Sequence, residues 1–353
     1  LSGHLGLGRH GTACQRRKAT LEPQASNPVD AVWHDQPAAP LSPIELHEPA
    51  FAGAASTDKR AEIAALLAKD GQDAVVLTAP DSIAWLANIR GADVPYTPFV
   101  LAFAVLRRDG TLDIFTDRRK LRPTVEQKLE PGIRIRERDG FERALDELGS
   151  AKSTVRPDPA TAADAIFARL ENAGAAIARA DDPCQLPKAK KNAAELDGMR
   201  AAHRRDGAAL TRFLAWLAKE GPNGNLSEIG AADKLEEFRR DGDLIQGLSF
   251  PTISGAGPNG AIVHYRVSRE SNRRIEPGSL YLVDSGAQYL DGTTDVTRTI
   301  AIGTPSDEMQ DRFTRVLKGH IALAMAMFPA GTSGTQLDAL ARASLWEAGL
   351  DYD

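Results

Sequence analysis

The hydrophobic and polar positions of residues 57–183 alternate between two periods. The run AVVLT is typical of a buried strand, and IRIRER alternates as a half-exposed strand does. A hairpin is predicted within 98–117, where Asp109 and Gly110 supply the turn. Helical spacing is found in 57–71, which begins at a capping residue, and in 140–149 and 159–174. Helices interleaved with strands predict an α/β layered domain.

The pattern changes after residue 183. A long amphipathic helix is predicted over 188–221, with an inward face of Leu196, Met199, Leu210, Phe213, Leu214 and Leu217. A second helix over 226–242 and glycine-rich strands over 250–303 follow. Thr304 is then placed to cap a helix whose buried stripe is Phe313, Val316, Leu317, Ile321, Ala324 and Phe328, and a last helix lies around 337–345. This order predicts an α+β domain over 184–353.

The first 56 residues have a different composition. Residues 34–56 contain Pro37, Pro40, Pro43 and Pro49, and because proline fixes φ and cannot donate to a strand ladder, we predict an extended linker there. Residues 1–33 are too few to bury a core of their own. The predicted organisation is therefore 1–33, the linker 34–56, an α/β domain over 57–183 and an α+β domain over 184–353.

Composition excludes some classes of function. The chain has 353 residues, 42% of them hydrophobic and 26% charged, and a net charge of −5. A negative balance argues against nucleic acid or an anionic membrane as partner. No apolar run approaches the roughly 20 residues needed to span a bilayer. Cys14 and Cys184 are the only cysteines, which fits a reducing compartment.

Two aspartates in the segment YLVDSGAQYLDGTTDVTRTI are unusual for a hairpin. Asp284 follows the apolar run LYLV, and a buried carboxylate needs a partner, for which Arg298 is the nearby cation. Two carboxylates that lie close together favour a divalent cation between them. A two-residue turn at Asp291-Gly292 would place Asp284 opposite Thr299, so a longer loop or a bulge is needed to bring Asp295 to Asp284. Ordinary turn and strand roles remain the alternative.

His264, in NGAIVHY, is the other candidate. It follows the loop SGAGPNG, which has the composition of a backbone-dominated segment that lines a cleft. A lone histidine beside apolar residues is also typical of a hydrogen-bonded core side chain. The residues by themselves leave both interpretations open.

The motifs just described resemble a known family. SFPTISGAGPNGAIVHY and YLVDSGAQYLDGTTDVTRTI closely resemble the larger, three-domain type of Xaa-Pro aminopeptidase, aminopeptidase P, of the creatinase, prolidase and methionine aminopeptidase superfamily. SNPVDAVW is similar to the end of its first domain, which makes 1–33 a remnant of that domain. Residues 57–183 resemble the second, creatinase-type α/β domain, and 184–353 the N-terminal portion of the pita-bread catalytic domain.

The resemblance implies roles for three residues. Asp284 and Asp295 match two of five metal ligands, and His264 matches a histidine that contacts the substrate near the scissile bond. One histidine and two glutamates are expected beyond Asp353, so we expect a C-terminally incomplete domain, and we expect these 353 residues alone to be inactive. The implied reaction is release of the N-terminal residue from peptides with proline at position 2, with two divalent ions, manganese by the resemblance, as cofactors.

The resemblance also implies peptide substrates, a homodimer and a cytoplasmic location, with no nucleic-acid or membrane partner. Prolidase cleaves only dipeptides, methionine aminopeptidase lacks the large N-terminal domains, and creatinase lacks the paired aspartates. A non-catalytic binding protein that retains the fold is the alternative from another class.

Overall fold

The computed structural model describes residues 27–352, and these form two compact units. The first contains the described residues up to 202 together with 290–292, and the second contains 203–289 and 293–352. The unit boundary lies within one long helix, not at residue 183 where the pattern changes. Most of the predicted remnant 1–33, with Cys14, lies outside the described residues.

The first unit is built on a six-stranded mixed sheet. The strands of the whole unit are β1 Glu45–Leu46, β2 Ala74–Leu77, β3 Ile89–Arg90, β4 Phe103–Arg107, β5 Leu112–Phe115, β6 Ile133–Arg136, β7 Thr154–Pro157 and β8 Ala176–Ile177. The large sheet has the order β6-β5-β4-β2-β7-β8, and β1 pairs with β3. The β4–β5 hairpin, the buried strand β2 and the alternating strand β6 confirm the sequence predictions.

Helices cover this sheet, and one hydrophobic cluster forms on each face. The helices of the unit are α1 Pro28–Val32, α2 Pro49–Ala52, α3 Ser56–Lys69, α4 Pro80–Ala87, α5 Pro123–Glu126, α6 Gly140–Ser150, α7 Asp164–Ala173 and α8 Gln185–Ala189. The α/β layered prediction is confirmed for this unit. None of the helices in the described part of the chain is long and apolar enough to cross a membrane.

The prediction of an extended linker over 34–56 was wrong for its second half. β1 and α2 lie there, and Ile44 is completely buried in the core of the unit. Prolines were compatible with this because Pro49 stands at the first position of a helix, where no hydrogen bond from its nitrogen is needed. The cap of α3 was also misplaced: Ala55 is the capping position, and the Glu130 carboxylate accepts from the Ser56 and Thr57 N–H groups instead.

The second unit combines helices with two three-stranded sheets. Its elements are α9 Ala193–Glu220, which begins in the first unit, α10 Glu228–Arg240, β9 Ile245–Leu248, β10 Ile253–Ala256, β11 Leu280–Ser285, β12 Ala287–Tyr289, β13 Gly292–Thr293, β14 Val296–Ala301, α11 Asp307–Ala324 and α12 Gly334–Trp346. The sheets have the orders β10-β11-β14 and β13-β12-β9. The α+β prediction is confirmed.

The predicted helix over 188–221 is two helices. The chain leaves helical geometry at 190–192, and Asn192 and Glu195 each accept a hydrogen bond from the other's backbone N–H, at 3.0 and 2.9 Å. Such a reciprocal cap starts a new helix. Leu210, Phe213 and Leu217 are buried as predicted, whereas Leu196 is exposed.

Two predictions for α11 were wrong. Its cap is Ser306, which accepts from the Met309 N–H, because Thr304 lies in a bend that precedes the helix by two residues. The stripe predicted as buried is exposed along most of its length in the described residues: Phe313, Val316, Leu317, Ile321 and Phe328 are 45–56% accessible. Helical periodicity identifies an apolar face but does not say what covers it.

Candidate metal centre

The register of the β11–β14 hairpin brings the two aspartates together. Asp284 lies opposite Thr297, not opposite Thr299 as a turn at Asp291-Gly292 required. The turn residues are 290 and 291. Because the pairing moves by two residues, every side chain keeps its face, and Asp295 becomes the diagonal neighbour of Asp284. The shift of register alone achieves what we had expected a longer loop or a bulge to do.

The two carboxylates lie close enough to each other to interact. Asp295 and the Thr297 hydroxyl both lie close enough to Asp284 to change the pKa of its carboxyl. Burial raises the pKa of Asp284 above its usual range, the Thr297 hydroxyl opposes this, and the charge of Asp295 raises the pKa further. One oxygen of Asp284, Oδ1, is buried and has no hydrogen-bond partner within residues 27–352.

Arg298, the cation considered as a partner for Asp284, does not serve that purpose. It pairs with Val283, so that it projects from the opposite face of the hairpin. An acidic pair with a buried, unpartnered oxygen is a donor set suited to a hard divalent cation. The described residues contain no group of three or more His, Cys, Asp or Glu side chains able to hold a metal, so the donor set that they bring together is this pair of aspartates.

A glycine makes the close approach of the two aspartate-bearing segments possible. A Cβ at Gly286 would overlap the carbonyl oxygen of Thr294 and the hydroxyl of Ser249. Ser249 Oγ donates to that carbonyl at 2.9 Å, and the Thr294 N–H donates to Ala287 at 2.9 Å. Gly286 is the first residue after β11. Its backbone therefore fixes the distance between the two sides of the hairpin close to Asp284.

We expect Gly286→Ala to destabilise the protein by about 2–3 kcal/mol, because neither obstructing group is free to move without losing its hydrogen bond. Gly247→Ala is the matched control, since Gly247 lies in β9 with open space where the methyl group of an alanine would lie. Urea denaturation of both variants measures the effect. Equal stabilities would contradict this account of the hairpin.

His264 lies in the same unit, in a turn that follows the short 3₁₀ helix Gly257–Ala261. Its side chain is exposed, which disagrees with a core role. It is close enough to Asp284 for its charge to lower the pKa of that carboxyl. Its backbone φ is +54°, a conformation in which residues other than glycine are uncommon.

A buried ion pair supports the strand end behind Asp284, and no sequence pattern predicted it. Arg239 is 1% exposed and donates to Asp206 at 2.8 and 3.1 Å. It also donates to Ser285 Oγ at 3.1 Å, and the Tyr289 hydroxyl donates to Asp206 at 2.9 Å. Both charged residues stand on helices with many exposed charges, so no sequence signal distinguishes them.

Sequence comparison divides the chain into two known domains. The Creatinase/Prolidase N-terminal domain matches residues 35–195, and metallopeptidase family M24 matches 197–353. A probable Xaa-Pro aminopeptidase P of Aspergillus clavatus is 43% identical over 339 residues, covering 92% of this chain and 51% of that protein. Aminopeptidase P2 of Arabidopsis thaliana is 39% identical, covering 92% of this chain and 50% of that protein. The chain thus spans about half the length of these relatives.

Structural comparison gives the same result. An X-prolyl aminopeptidase from Caenorhabditis elegans, described as a cytosolic enzyme with a di-nuclear active site, superposes with a TM-score of 0.87 at 33% identity. The superposition covers 99% of this chain and 58% of the Caenorhabditis chain. Prolidase from Pyrococcus furiosus has a TM-score of 0.61 at 18% identity, covering 81% of this chain and 78% of that one, and this likeness shows a shared fold. The chain therefore belongs to metallopeptidase family M24 and, within it, to the aminopeptidase P group, with a creatinase-type domain before a pita-bread domain.

Proposed function

We propose that the protein is a metal-dependent aminopeptidase that releases the N-terminal residue from peptides with proline at the second position. The observation that carries this proposal is the diagonal placement of Asp284 and Asp295 across the hairpin, with one buried carboxylate oxygen of Asp284 that lacks a partner within residues 27–352. The relatives with this domain pair are named as Xaa-Pro aminopeptidases, and one is described as di-nuclear.

Asp284 and Asp295 would hold divalent cations, and manganese is our proposal for their identity. Cations held there supply a water molecule acidified enough to attack an amide at neutral pH. The aspartates keep the charge of the site negative and face the same side of the hairpin. His264 is the residue we assign to the substrate, where an imidazole N–H would donate to the oxygen on which negative charge develops.

The substrate chemistry suits a site of this kind. The bond between a residue and proline is a tertiary amide without an N–H, so a peptidase that recognises its substrate through that N–H loses the contact. An enzyme for this bond must instead recognise the carbonyl group of the first residue. We further propose that the protein is a homodimer, as the family resemblance implies. We also propose a cytoplasmic location, on the basis of the cytosolic Caenorhabditis relative.

Peptide cleavage tests the proposal. We expect the full-length gene product to release the first residue of an Xaa-Pro peptide and to leave the matching Xaa-Ala peptide intact. A chelator should abolish the release and manganese should restore it. Equal cleavage of both peptides, or cleavage that resists chelation, would overturn the proposal. For residues 1–353 alone we expect no cleavage, because two carboxylates are too few ligands for two divalent cations.

A further inference from the structure

His264 is carried by residues 256–273, a largely irregular segment that starts at the last residue of β10 and that we call the histidine loop. The loop contains the 3₁₀ helix Gly257–Ala261 and turns, and it connects β10 to the region before β11. The His264 side chain is exposed and makes no hydrogen bond to any described residue. Its position therefore depends on how the backbone of the loop is held.

One buried carboxylate holds that backbone. Glu228 is 0% exposed and stands at the first position of α10. Its Oε1 accepts from the Ala256 N–H at 2.7 Å and from Asn259 Nδ2 at 2.9 Å. Its Oε2 accepts from the Arg273 N–H at 2.9 Å and from the Tyr265 hydroxyl at 3.0 Å.

All four donors belong to the histidine loop. Ala256 and Arg273 are its two ends, so a single side chain joins the point where the loop begins to the point where it returns. The Glu228 backbone adds to this, because its N–H donates to the Arg273 carbonyl at 3.0 Å. Tyr265, the residue after His264, is 7% exposed and anchors the middle of the loop.

No ion pair joins Glu228 to a Lys, Arg or His side chain within residues 27–352. Four hydrogen bonds and the N-terminus of α10 stabilise the buried anion instead. Both oxygens of a carboxylate accept hydrogen bonds. Two of the donors are backbone N–H groups, whose direction is fixed by the course of the chain.

The backbone of His264 needs such support. A φ of +54° at a residue other than glycine persists where the surrounding structure enforces it. We propose that Glu228 is a positioning residue, whose carboxylate fixes the histidine loop so that His264 meets the peptide substrate. This inference rests on the function proposed above. Glu228 itself does not meet the substrate and acts only through His264.

Glu228→Gln tests the assignment, because an amide replaces one acceptor with a donor and leaves at least one backbone N–H unpaired. In the full-length gene product, we expect kcat/KM for an Xaa-Pro peptide to fall about 10–100-fold with normal metal content. We also expect faster amide hydrogen exchange across 256–273. Glu237→Gln, an exposed change on the same helix, is the control and should alter neither quantity.

A double-mutant cycle separates positioning from general stability. If Glu228 acts through His264, then Glu228→Gln should cost little further activity in a His264→Asn background. Additive losses would overturn the proposal, as would unchanged exchange in the histidine loop. If Glu228→Gln does not fold, Tyr265→Phe removes one of the four hydrogen bonds, and the same cycle with His264→Asn decides. Absence of Xaa-Pro cleavage by the unmodified full-length gene product would overturn the proposed function, whereas the exchange measurement would still show whether Glu228 holds the loop.

Discussion

Replacing Asp284 with asparagine in the full-length gene product is expected to remove most of the bound metal and to lower turnover of an Xaa-Pro peptide by at least about 10³-fold, since the change deletes a charged ligand from the proposed metal site. Asp295→Asn should behave similarly. Elemental analysis of the purified protein and a peptide assay measure the two quantities. Asp291→Asn is the control, because it changes an aspartate of the same hairpin at the turn.

The stability of Asp284→Asn should separate a metal ligand from a structural carboxylate. Because burial and Asp295 raise the pKa of Asp284 above that of the unfolded chain, the ionised group lowers stability as the pH rises above the unfolded value near 3.9. A neutral amide removes this penalty. We therefore expect metal-free Asp284→Asn to melt at or above the temperature of the metal-free parent protein at pH 7.

Added manganese should reverse that order, because a ligand that binds only the folded state raises its stability in proportion to RT ln(1 + [L]/Kd). The parent protein should gain stability with manganese, and Asp284→Asn should gain little. A variant with full metal content and normal turnover would end the assignment of Asp284.

Replacing His264 with asparagine is the second large effect. We expect turnover to fall about 10²–10³-fold while metal content and melting temperature stay near those of the parent protein. Asparagine is preferred to alanine here because it tolerates the positive φ of this position. The fall in activity then reports the lost imidazole and not a rearranged turn.

The two interpretations of His264 left open by its sequence neighbours predict opposite results. If His264 were a core histidine, its replacement would lower the melting temperature and leave the activity of the folded fraction intact. His320→Asn, an exposed histidine of α11, is the matched control and should leave both quantities unchanged. Normal turnover in His264→Asn would remove His264 from the substrate site.

The sequence by itself determined the fold class of both units, most elements and the three candidate site residues. β2, β6 and the β4–β5 hairpin follow from apolar runs, alternation and a turn signal, which are local properties. Asp284 was conspicuous because an acidic residue after an apolar run has a high cost without a partner. The motifs around the two aspartates then identified the family that the comparisons confirm.

Only the tertiary structure decided how these residues meet. The proximity of Asp284 and Asp295 depends on a hairpin register that differs by two residues from the one a turn at Asp291-Gly292 would give, and alternation along a strand is the same in both registers. The role of Glu228 depends on donors 28 to 45 positions away, from Ala256 to Arg273. Local patterns record propensity and which face is apolar, whereas register, the cover over the α11 face and long-range hydrogen bonds follow from packing of the whole unit.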